Sequence, residues 1–248
     1  MMTASNPDTL WFTHDDARLA FRFVAGAGPL VVFLPGYMSD MGGTKACSIR
    51  AWAEAAGRAC LLFDYSGCGE SGGDFLKGSI GRWTGDAAAL IGHVWPRGDV
   101  VLAGSSMGGW AALRLGVQLG ARLAGLVGIA AAPDFVDWGL ELSAAEAEAL
   151  AAQGWCSRPS GYGGDYVYSK TFLEDAARCR MLAGPIAITA PVRLLHGQAD
   201  EAVPWQLSVD IAGLVESEDV QVLLIKNGDH RLSNESEIGL MLAQIAAL

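Results

Sequence analysis

The sequence lacks several features that would assign it to a membrane, metal or redox class. Its longest apolar stretch, Leu123 to Pro133, contains glycines and is far shorter than the ~20 residues of a membrane-spanning helix. The five cysteines are scattered without a C-x-x-C pair, so we expect reduced thiols, no metal site and no cofactor. Only four histidines occur in 248 residues, which leaves few candidates for a catalytic base.

Basic charge is scarce as well. The chain has 17 Lys and Arg against 27 Asp and Glu, a formal net charge of −10, which disfavours binding to nucleic acid or to an anionic membrane surface. We therefore expect a small-molecule or acylated-protein substrate.

Met1 to Asp8 has neither the basic start and apolar core of a secretory signal nor the arginines of a transit peptide. Together with the reduced thiols, this predicts a cytoplasmic location, while the oligomeric state is not predicted.

Apolar β-prone runs alternate with helical patterns over most of the chain. Leu30 to Leu34, Ala59 to Phe63 and Val192 to Gly197 are typical of strands buried on both faces, and amphipathic helical patterns separate such runs. This alternation predicts an α/β fold with a mostly parallel central sheet and helices on both faces. We expect a single core domain formed by residues 1–133 and 189–248.

The alternation stops between residues 134 and 188. Ser143 to Glu146 predicts a capping box that opens a short helix, and Thr171 to Met181 predicts a second helix. An insertion between two core strands is expected above the carboxyl edge of the sheet, where ligands bind in such folds, so we interpret 134–188 as a small helical lid. Its candidate substrate-binding residues are Trp138, Trp155 and Tyr162, and the alternative role for its aromatics is packing against the core.

The motif G-x-S-x-G occurs at Gly104-Ser105-Ser106-Met107-Gly108. A strand-like run precedes it and a helical pattern follows it at once, which is the context that a nucleophile elbow requires. Ser106 is therefore the candidate nucleophile, and the backbone amide of Met107 is a candidate oxyanion donor. A second match at Gly69 to Gly73 is followed by a polar glycine-rich loop, so Ser71 is predicted to be a loop residue.

A serine nucleophile needs a base, and the base needs an orienting acid. His230 follows the last predicted strand, Val220 to Ile225, at the sheet edge where the elbow is expected, so it is the candidate base. Asp200, in the loop after an earlier strand, is the candidate acid and gives the chain order Ser, Asp, His. Glu201 and Asp134 are alternative acids. The other histidines are predicted to be surface, packing or buried hydrogen-bonded residues: His14, His93 and His196.

A second oxyanion donor is expected from the loop after Leu30 to Leu34, where Tyr37 follows a glycine.

The chain resembles the α/β-hydrolase superfamily over its whole length, in the elbow and in the positions of Asp200 and His230. The segment Pro35 to Ala46 is similar, more narrowly, to a branch of palmitoyl-protein thioesterases and acyl-glucuronide esterases, as are four shorter stretches. These stretches are Phe63 to Gly67, Leu194 to Gly197, Val203 to Trp205 and Asp229 to Arg231. The resemblance implies a serine hydrolase of acyl esters and thioesters with Ser106, Asp200 and His230 as its triad.

Two other functions remain open at the level of sequence. A proline-type aminopeptidase on the same fold would need acidic residues in the insertion to bind the substrate ammonium group. The candidates for that role are Glu141, Glu146, Glu148 and Asp165. A hydrolase-fold binding protein without catalysis is the alternative from a different functional class.

Overall fold

A computed structural model describes residues 8–160 and 164–248 of the chain. The strands are β1 (Leu10–His14), β2 (Ala17–Val24), β3 (Ala27–Leu34), β4 (Arg58–Phe63), β5 (Val100–Ser105), β6 (Leu123–Ile129), β7 (Trp155–Pro159), β8 (Asp165–Ser169), β9 (Val192–Gly197) and β10 (Val220–Ile225). The α-helices are α1 (Thr44–Ala56), α2 (Ile80–Val94), α3 (Met107–Leu119), α4 (Phe135–Trp138), α5 (Ala144–Gln153), α6 (Lys170–Arg178), α7 (Gln206–Leu214) and α8 (Glu235–Ala246). Short 3₁₀ turns occur at Phe75–Lys77 and Gly120–Arg122.

Eight strands form the central sheet in the order β1-β2-β4-β3-β5-β6-β9-β10. Strand β2 pairs antiparallel with both β1 and β4, whereas every pairing from β4 across to β10 is parallel. Parallel neighbours need long crossovers, and helices supply most of these connections. The carboxyl ends of β5, β9 and β10 consequently meet at one edge of the sheet.

The two faces of the sheet carry separate apolar cores. Alternate residues of β3 divide between them, since Val32 belongs to one core and Val31 to the other. Helices α2, α3 and α7 contribute to the first core, and α1 and α8 contribute to the second. This arrangement confirms the predicted fold, a mostly parallel sheet with helices on both faces. Within the described residues, every helix falls short of the length and apolar character that a membrane span requires.

Residues 134–188, here called the insertion, lie between β6 and β9 and stay outside the central sheet. Besides the three helices α4, α5 and α6, the insertion contains an antiparallel ribbon formed by β7 and β8, which the sequence pattern did not predict. The capping box at Ser143 and Glu146 is present at the start of α5.

Buried polar contacts fasten the base of the insertion to the core. Within the insertion, the Asp134 carboxylate accepts the backbone N–H groups of Met181 and Leu182 at 2.8–2.9 Å, which joins the start of the insertion to the segment after α6. Asp175 on α6 accepts the Gly81 N–H at 2.7 Å at the start of α2. The Trp110 indole donates to the Cys179 carbonyl at 2.9 Å. The insertion is thus held at several points along α2 and α3.

The turn between β5 and α3 depends on close packing of backbone. A Cβ atom at Gly108 would lie 2.1 Å from the Leu34 carbonyl oxygen, and one at Gly104 would lie 2.2 Å from the Gly108 carbonyl oxygen. No side chain fits at such distances. The two motif glycines therefore let the start of α3 lie directly against the ends of β3 and β5.

We predict that Gly108→Ala lowers the free energy of unfolding by about 1–3 kcal/mol or more, because the added methyl group must displace the backbone at Leu34. Urea denaturation measures the change. The matched control is Gly85→Ala in α2, where a Cβ meets open space and the helix should gain up to about 1 kcal/mol. Equal stability of the two variants would contradict the packing requirement.

Candidate active site

Three loops bring the predicted site residues to the carboxyl edge of the sheet. Ser106 lies between β5 and α3, Asp200 follows β9, and His230 follows β10. The His230 Nε2 atom is 3.1 Å from the Ser106 Oγ atom, and its Nδ1 atom is 2.7 Å from the Asp200 Oδ2 atom. The structure therefore joins the three side chains into one hydrogen-bonded series, although they are far apart in sequence.

Ser106 has the backbone conformation of a strained turn, with φ 55° and ψ −121°. A non-glycine residue with positive φ is costly and tends to occur at functional sites. Hydrogen bonds hold the turn in place, since the Ser106 N–H donates to the Ile129 carbonyl at 2.9 Å and the Ser106 carbonyl accepts the Ala132 N–H at 3.0 Å. The hydroxyl is thereby directed out of the sheet toward His230.

The Asp200 side chain is fully buried and receives hydrogen bonds on both of its oxygens. Oδ1 accepts the N–H groups of Ala202 and Val203 at 2.8 Å each, while Oδ2 accepts from His230 and from His196. Burial by itself would raise the pKa of this carboxyl group, but the hydrogen bonds from the two histidines lower it well below its usual range. Asp200 is consequently an anion that can orient His230 and stabilise its protonated form.

His196 lies beneath Asp200 and is fully buried. Its Nε2 atom is 3.2 Å from Asp200 Oδ2 and 3.0 Å from the Val203 carbonyl oxygen, both of which only accept hydrogen bonds. Nε2 therefore carries a proton, and Nδ1 is 2.8 Å from the Ser208 hydroxyl oxygen. His196 thus donates a second imidazole hydrogen bond to the Asp200 oxygen that His230 contacts.

The amides of Tyr37 and Met107 are the predicted oxyanion donors. Met107 is the first residue of α3, where backbone N–H groups have no partner within the helix. Neither amide donates a hydrogen bond to any group of residues 8–160 and 164–248. Gly36 packs against the elbow, since a Cβ there would be 3.5 Å from the Ser106 Cβ. Both donors thus belong to residues whose chain neighbours, Gly36 and Ser106, are in contact.

Asp64 anchors the loop that carries Tyr37. Its carboxylate accepts the Met41 N–H and the Glu70 N–H, each at 2.7 Å. Burial raises the pKa of Asp64 to about 6, although these two backbone hydrogen bonds act in the opposite direction. The Tyr37 hydroxyl also donates to the Val167 carbonyl of β8. The loop between β3 and α1, residues 35–43, is therefore attached both to the core and to the insertion. Because it carries the predicted oxyanion donor Tyr37, we call it the oxyanion loop.

A cavity of about 550 Å³ opens above Ser106 and His230; we call it the catalytic cavity. Two basic side chains that the sequence analysis missed line it, Lys45 at the start of α1 and Arg231 next to the histidine. The Lys45 Nζ atom donates to the Arg231 carbonyl, and burial lowers the pKa of this lysine. One feature of the sequence could have identified them, because each lies in a segment that resembles the thioesterase branch.

The other serine, acid and histidine candidates from the sequence lie outside the candidate active site. Ser71 donates to the Asp64 carbonyl at 2.7 Å and accepts the Ala20 N–H at 2.8 Å, a purely structural role. Asp134 holds the base of the insertion, as described above, and Glu201 is exposed. His93 stacks on Phe12 with ring centroids 4.4 Å apart, and His14 lies near Asp15. None of these side chains lines the catalytic cavity.

The three aromatic candidates for substrate binding have different surroundings. Trp138 packs beside Ala132 and Val203, donates to the Pro133 carbonyl at 2.8 Å and does not line the catalytic cavity, so the structure places it in packing. Trp155 lines a second, adjoining cavity. Tyr162 lies outside the described residues. In the part of the chain that the structure describes, no group of three His, Cys, Asp or Glu residues could hold a metal ion.

The sheet order, the helices on both faces and the strand-turn-helix at Ser106 define the class of α/β-hydrolase folds. The family model "Alpha/beta hydrolase family" matches residues 31–238, and the chain belongs to this family. The sequence-based prediction that it is a hydrolase of this superfamily is confirmed.

Individual relatives extend the comparison to nearly the whole chain. A rat protein named "Palmitoyl-protein thioesterase ABHD10, mitochondrial" is 37% identical over 230 residues, which are 92% of this chain and 77% of the rat protein. The crystal structure of a putative hydrolase from Agrobacterium vitis S4 has a TM-score of 0.90 at 37% identity and covers 96% of this chain and 97% of its own. The mouse α/β hydrolase domain-containing protein 10 has a TM-score of 0.87 at 34% identity, with the same coverage.

The comparison corrects one expectation. The rat relative is named as a mitochondrial protein, as are its human and mouse counterparts, which contradicts the cytoplasmic location expected from the sequence. The physical reason is that scattered reduced cysteines indicate a reducing environment and do not identify a particular compartment.

We predict that His196→Leu lowers the free energy of unfolding by about 2–3 kcal/mol at neutral pH, because Asp200 loses a hydrogen bond to its buried charge. The difference in the free energy of unfolding between this variant and the native chain should become smaller at about pH 3. A carboxyl group whose pKa is lowered by folding stabilises the folded state at pH values above its unfolded-state pKa of about 3.9. This stabilisation is lost as the pH falls from that value toward the lower pKa of the folded state.

Denaturant unfolding at both pH values measures this effect. His196→Gln is the matched variant, because its amide can still donate to Asp200 and should retain part of the pH dependence. His93→Leu controls for the loss of an imidazole that packs against the rings of Phe12 and Phe21. A stability loss in His196→Leu that is the same at pH 7 and about pH 3 would refute the proposed support of the aspartate.

Proposed function

We propose that the chain is a serine hydrolase that cleaves carboxylic ester or thioester bonds of acylated substrates. The observation that carries this proposal is the series Ser106, His230 and Asp200, with separations of 3.1 Å and 2.7 Å at a strained turn. Such a series activates a serine hydroxyl, because the imidazole accepts its proton and the carboxylate stabilises the resulting imidazolium.

The reaction has two stages. In the first, His230 Nε2 takes the proton of Ser106 Oγ while that oxygen attacks the acyl carbonyl carbon, and the amides of Tyr37 and Met107 donate to the oxyanion. The tetrahedral intermediate then expels the alcohol or thiol, which receives the proton from His230. In the second stage, a water molecule gives a proton to His230 and attacks the acyl-enzyme, which releases the carboxylic acid and restores Ser106.

Esters and thioesters are the substrates whose leaving groups need the least protonation by this site. A thiol with a pKa of about 8.5 leaves readily as the thiolate, whereas an amine must be protonated as it departs. The name of the rat relative, a palmitoyl-protein thioesterase, supports removal of acyl groups from protein cysteines as the candidate reaction. Acyl-glucuronide hydrolysis is the second ester reaction that the sequence resemblance implies.

The aminopeptidase alternative has less support. It requires free carboxylates in the insertion, but Glu146 is bound by Arg158 at 2.8 Å and by the capping serine of α5. Asp165 is the one of the four candidate acids that lines the catalytic cavity. A binding protein without catalysis has no need of the hydrogen bond between Ser106 and His230.

We also propose that the insertion, residues 134–188, acts as a lid on a core made of residues 1–133 and 189–248. Three observations support this role. The insertion contributes Ser160, Asp165 and Tyr166 to the lining of the catalytic cavity. Its strand β8 accepts the hydrogen bond of the Tyr37 hydroxyl, and Asp175 and Cys179 fix the insertion to Gly81 of α2 and Trp110 of α3.

We predict that Ser106→Ala lowers kcat for ester hydrolysis by about 10⁴-fold or more with little change in stability. Covalent labelling with a fluorophosphonate, mapped by mass spectrometry, should modify Ser106 in the native chain and disappear in this variant. Ser71→Ala is the control from the second motif match, and it should keep the label. Labelling of any other serine in the native chain would contradict the assignment.

A substrate panel separates the candidate functions. We predict hydrolysis of p-nitrophenyl esters and acyl thioesters by the native chain and negligible cleavage of aminoacyl anilides, because the site favours leaving groups that need little protonation. Initial rates at equal substrate concentration provide the measurement. Rapid anilide cleavage without thioesterase activity would favour the aminopeptidase instead.

A further inference from the structure

A second cavity of about 460 Å³ adjoins the catalytic cavity; we call it the side groove. Its volume lies in the range of small-molecule sites, about 300–1,000 Å³. Most of its lining is apolar, and Ser106 and His230 do not contribute to it. The lining consists of Met38, Ser39, Asp40, Gly67, Cys68, Gly69, Phe75, Leu76, Trp155 and Val167.

The side groove and the catalytic cavity share one wall. Met38, Ser39 and Asp40 line both of them, directly after the oxyanion donor Tyr37. Met38 has a positive φ of 54° and is 44% exposed, an unusual combination for a large apolar residue. An unbranched thioether adapts its shape to apolar ligands. A substrate bound at the oxyanion amides can therefore extend past Met38 into the side groove.

The position of His230 decides which part of the substrate faces which cavity. The general acid must reach the leaving-group atom to protonate it, so the leaving group lies on the side of His230. That side is the catalytic cavity, whose lining near the histidine includes Lys45, Arg231 and Ser233. The acyl substituent of the same carbonyl must then point away from His230, and the shared wall at Met38 to Asp40 offers it a route into the side groove.

Desolvation favours the same orientation. An alkyl chain placed in the catalytic cavity would lie beside three charged residues, Lys45, Arg231 and Asp165, and burial of charge against an alkyl chain is costly. The side groove instead offers Phe75, Leu76 and other apolar side chains, and burial there gains about 0.8 kcal/mol for each methylene group, or about fourfold in binding.

We propose that the side groove binds the acyl chain of the substrate and that Leu76, Trp155 and Met38 determine its preferred length, while the polar leaving group occupies the catalytic cavity. This inference rests on the proposed hydrolase function. Leu76 belongs to the core and Trp155 to the insertion, so both parts of the chain form the groove.

The experiment is a series of p-nitrophenyl esters from acetyl to palmitoyl, assayed below their micelle-forming concentrations. The leaving group is constant, so kcat/KM reports on the acyl side alone. The native chain should gain up to about fourfold in kcat/KM for each methylene group that fits the groove. Leu76→Trp fills the groove and should lower kcat/KM at least about tenfold for long chains, while acetyl ester hydrolysis stays within about twofold. Leu76→Ala should move the optimum to longer chains.

The matched control is Leu240→Trp, the same substitution at an exposed leucine of α8 outside both cavities, which should keep the native profile. A native profile in both Leu76 variants would overturn the assignment of the groove while leaving the hydrolase function intact. An equal loss for acetyl and palmitoyl esters would also overturn it, since that pattern indicates damage to the catalytic residues. Failure of the native chain to hydrolyse any ester in the series would overturn the proposed function as well.

Discussion

The structure depends on the placement of one buried negative charge, the carboxylate of Asp200. A fully buried anion is tolerated only when its oxygens are saturated with hydrogen bonds, and here two backbone amides and two imidazoles supply them. These donors come from β9 and from the loops that follow β9 and β10. The charge therefore fixes the relative position of adjacent parallel strands and, through His230, their distance from the elbow.

The oxyanion loop is the second point at which several parts of the fold are joined. The ring of Tyr37 lies 5.0–5.6 Å from Phe172, Tyr168 and Phe75, while its hydroxyl group donates to β8. A single side chain therefore connects the insertion to the loop that carries a predicted oxyanion donor. We expect a displacement of β8 to reach this amide through the aromatic packing. In the proposed mechanism, the insertion would then affect both access to the serine and the geometry of the oxyanion donors.

Sequence patterns predicted the parts of the molecule that follow local rules. The strand, turn and helix around Ser106 follow from a short motif, and the order Ser106, Asp200, His230 follows from strand succession. The two-stranded ribbon was not predicted, because β7 and β8 carry no regular alternation and their pairing depends on the aromatic core that they cover. The role of His196 was not predicted either. A histidine inside a strand carries no sequence pattern that identifies Asp200 as its hydrogen-bond partner.

The two cavities show why the chemistry is easier to infer than the substrate. The proposed catalytic residues follow the ends of parallel strands, whose register is fixed by backbone hydrogen bonds. The walls of the side groove come from a 3₁₀ turn, the oxyanion loop and the ribbon of the insertion, none of which belongs to the sheet. Substitutions in those segments can change the length or width of the groove while Ser106, His230 and Asp200 keep their contacts. Related chains with the same hydrolytic residues can consequently accept different acyl groups.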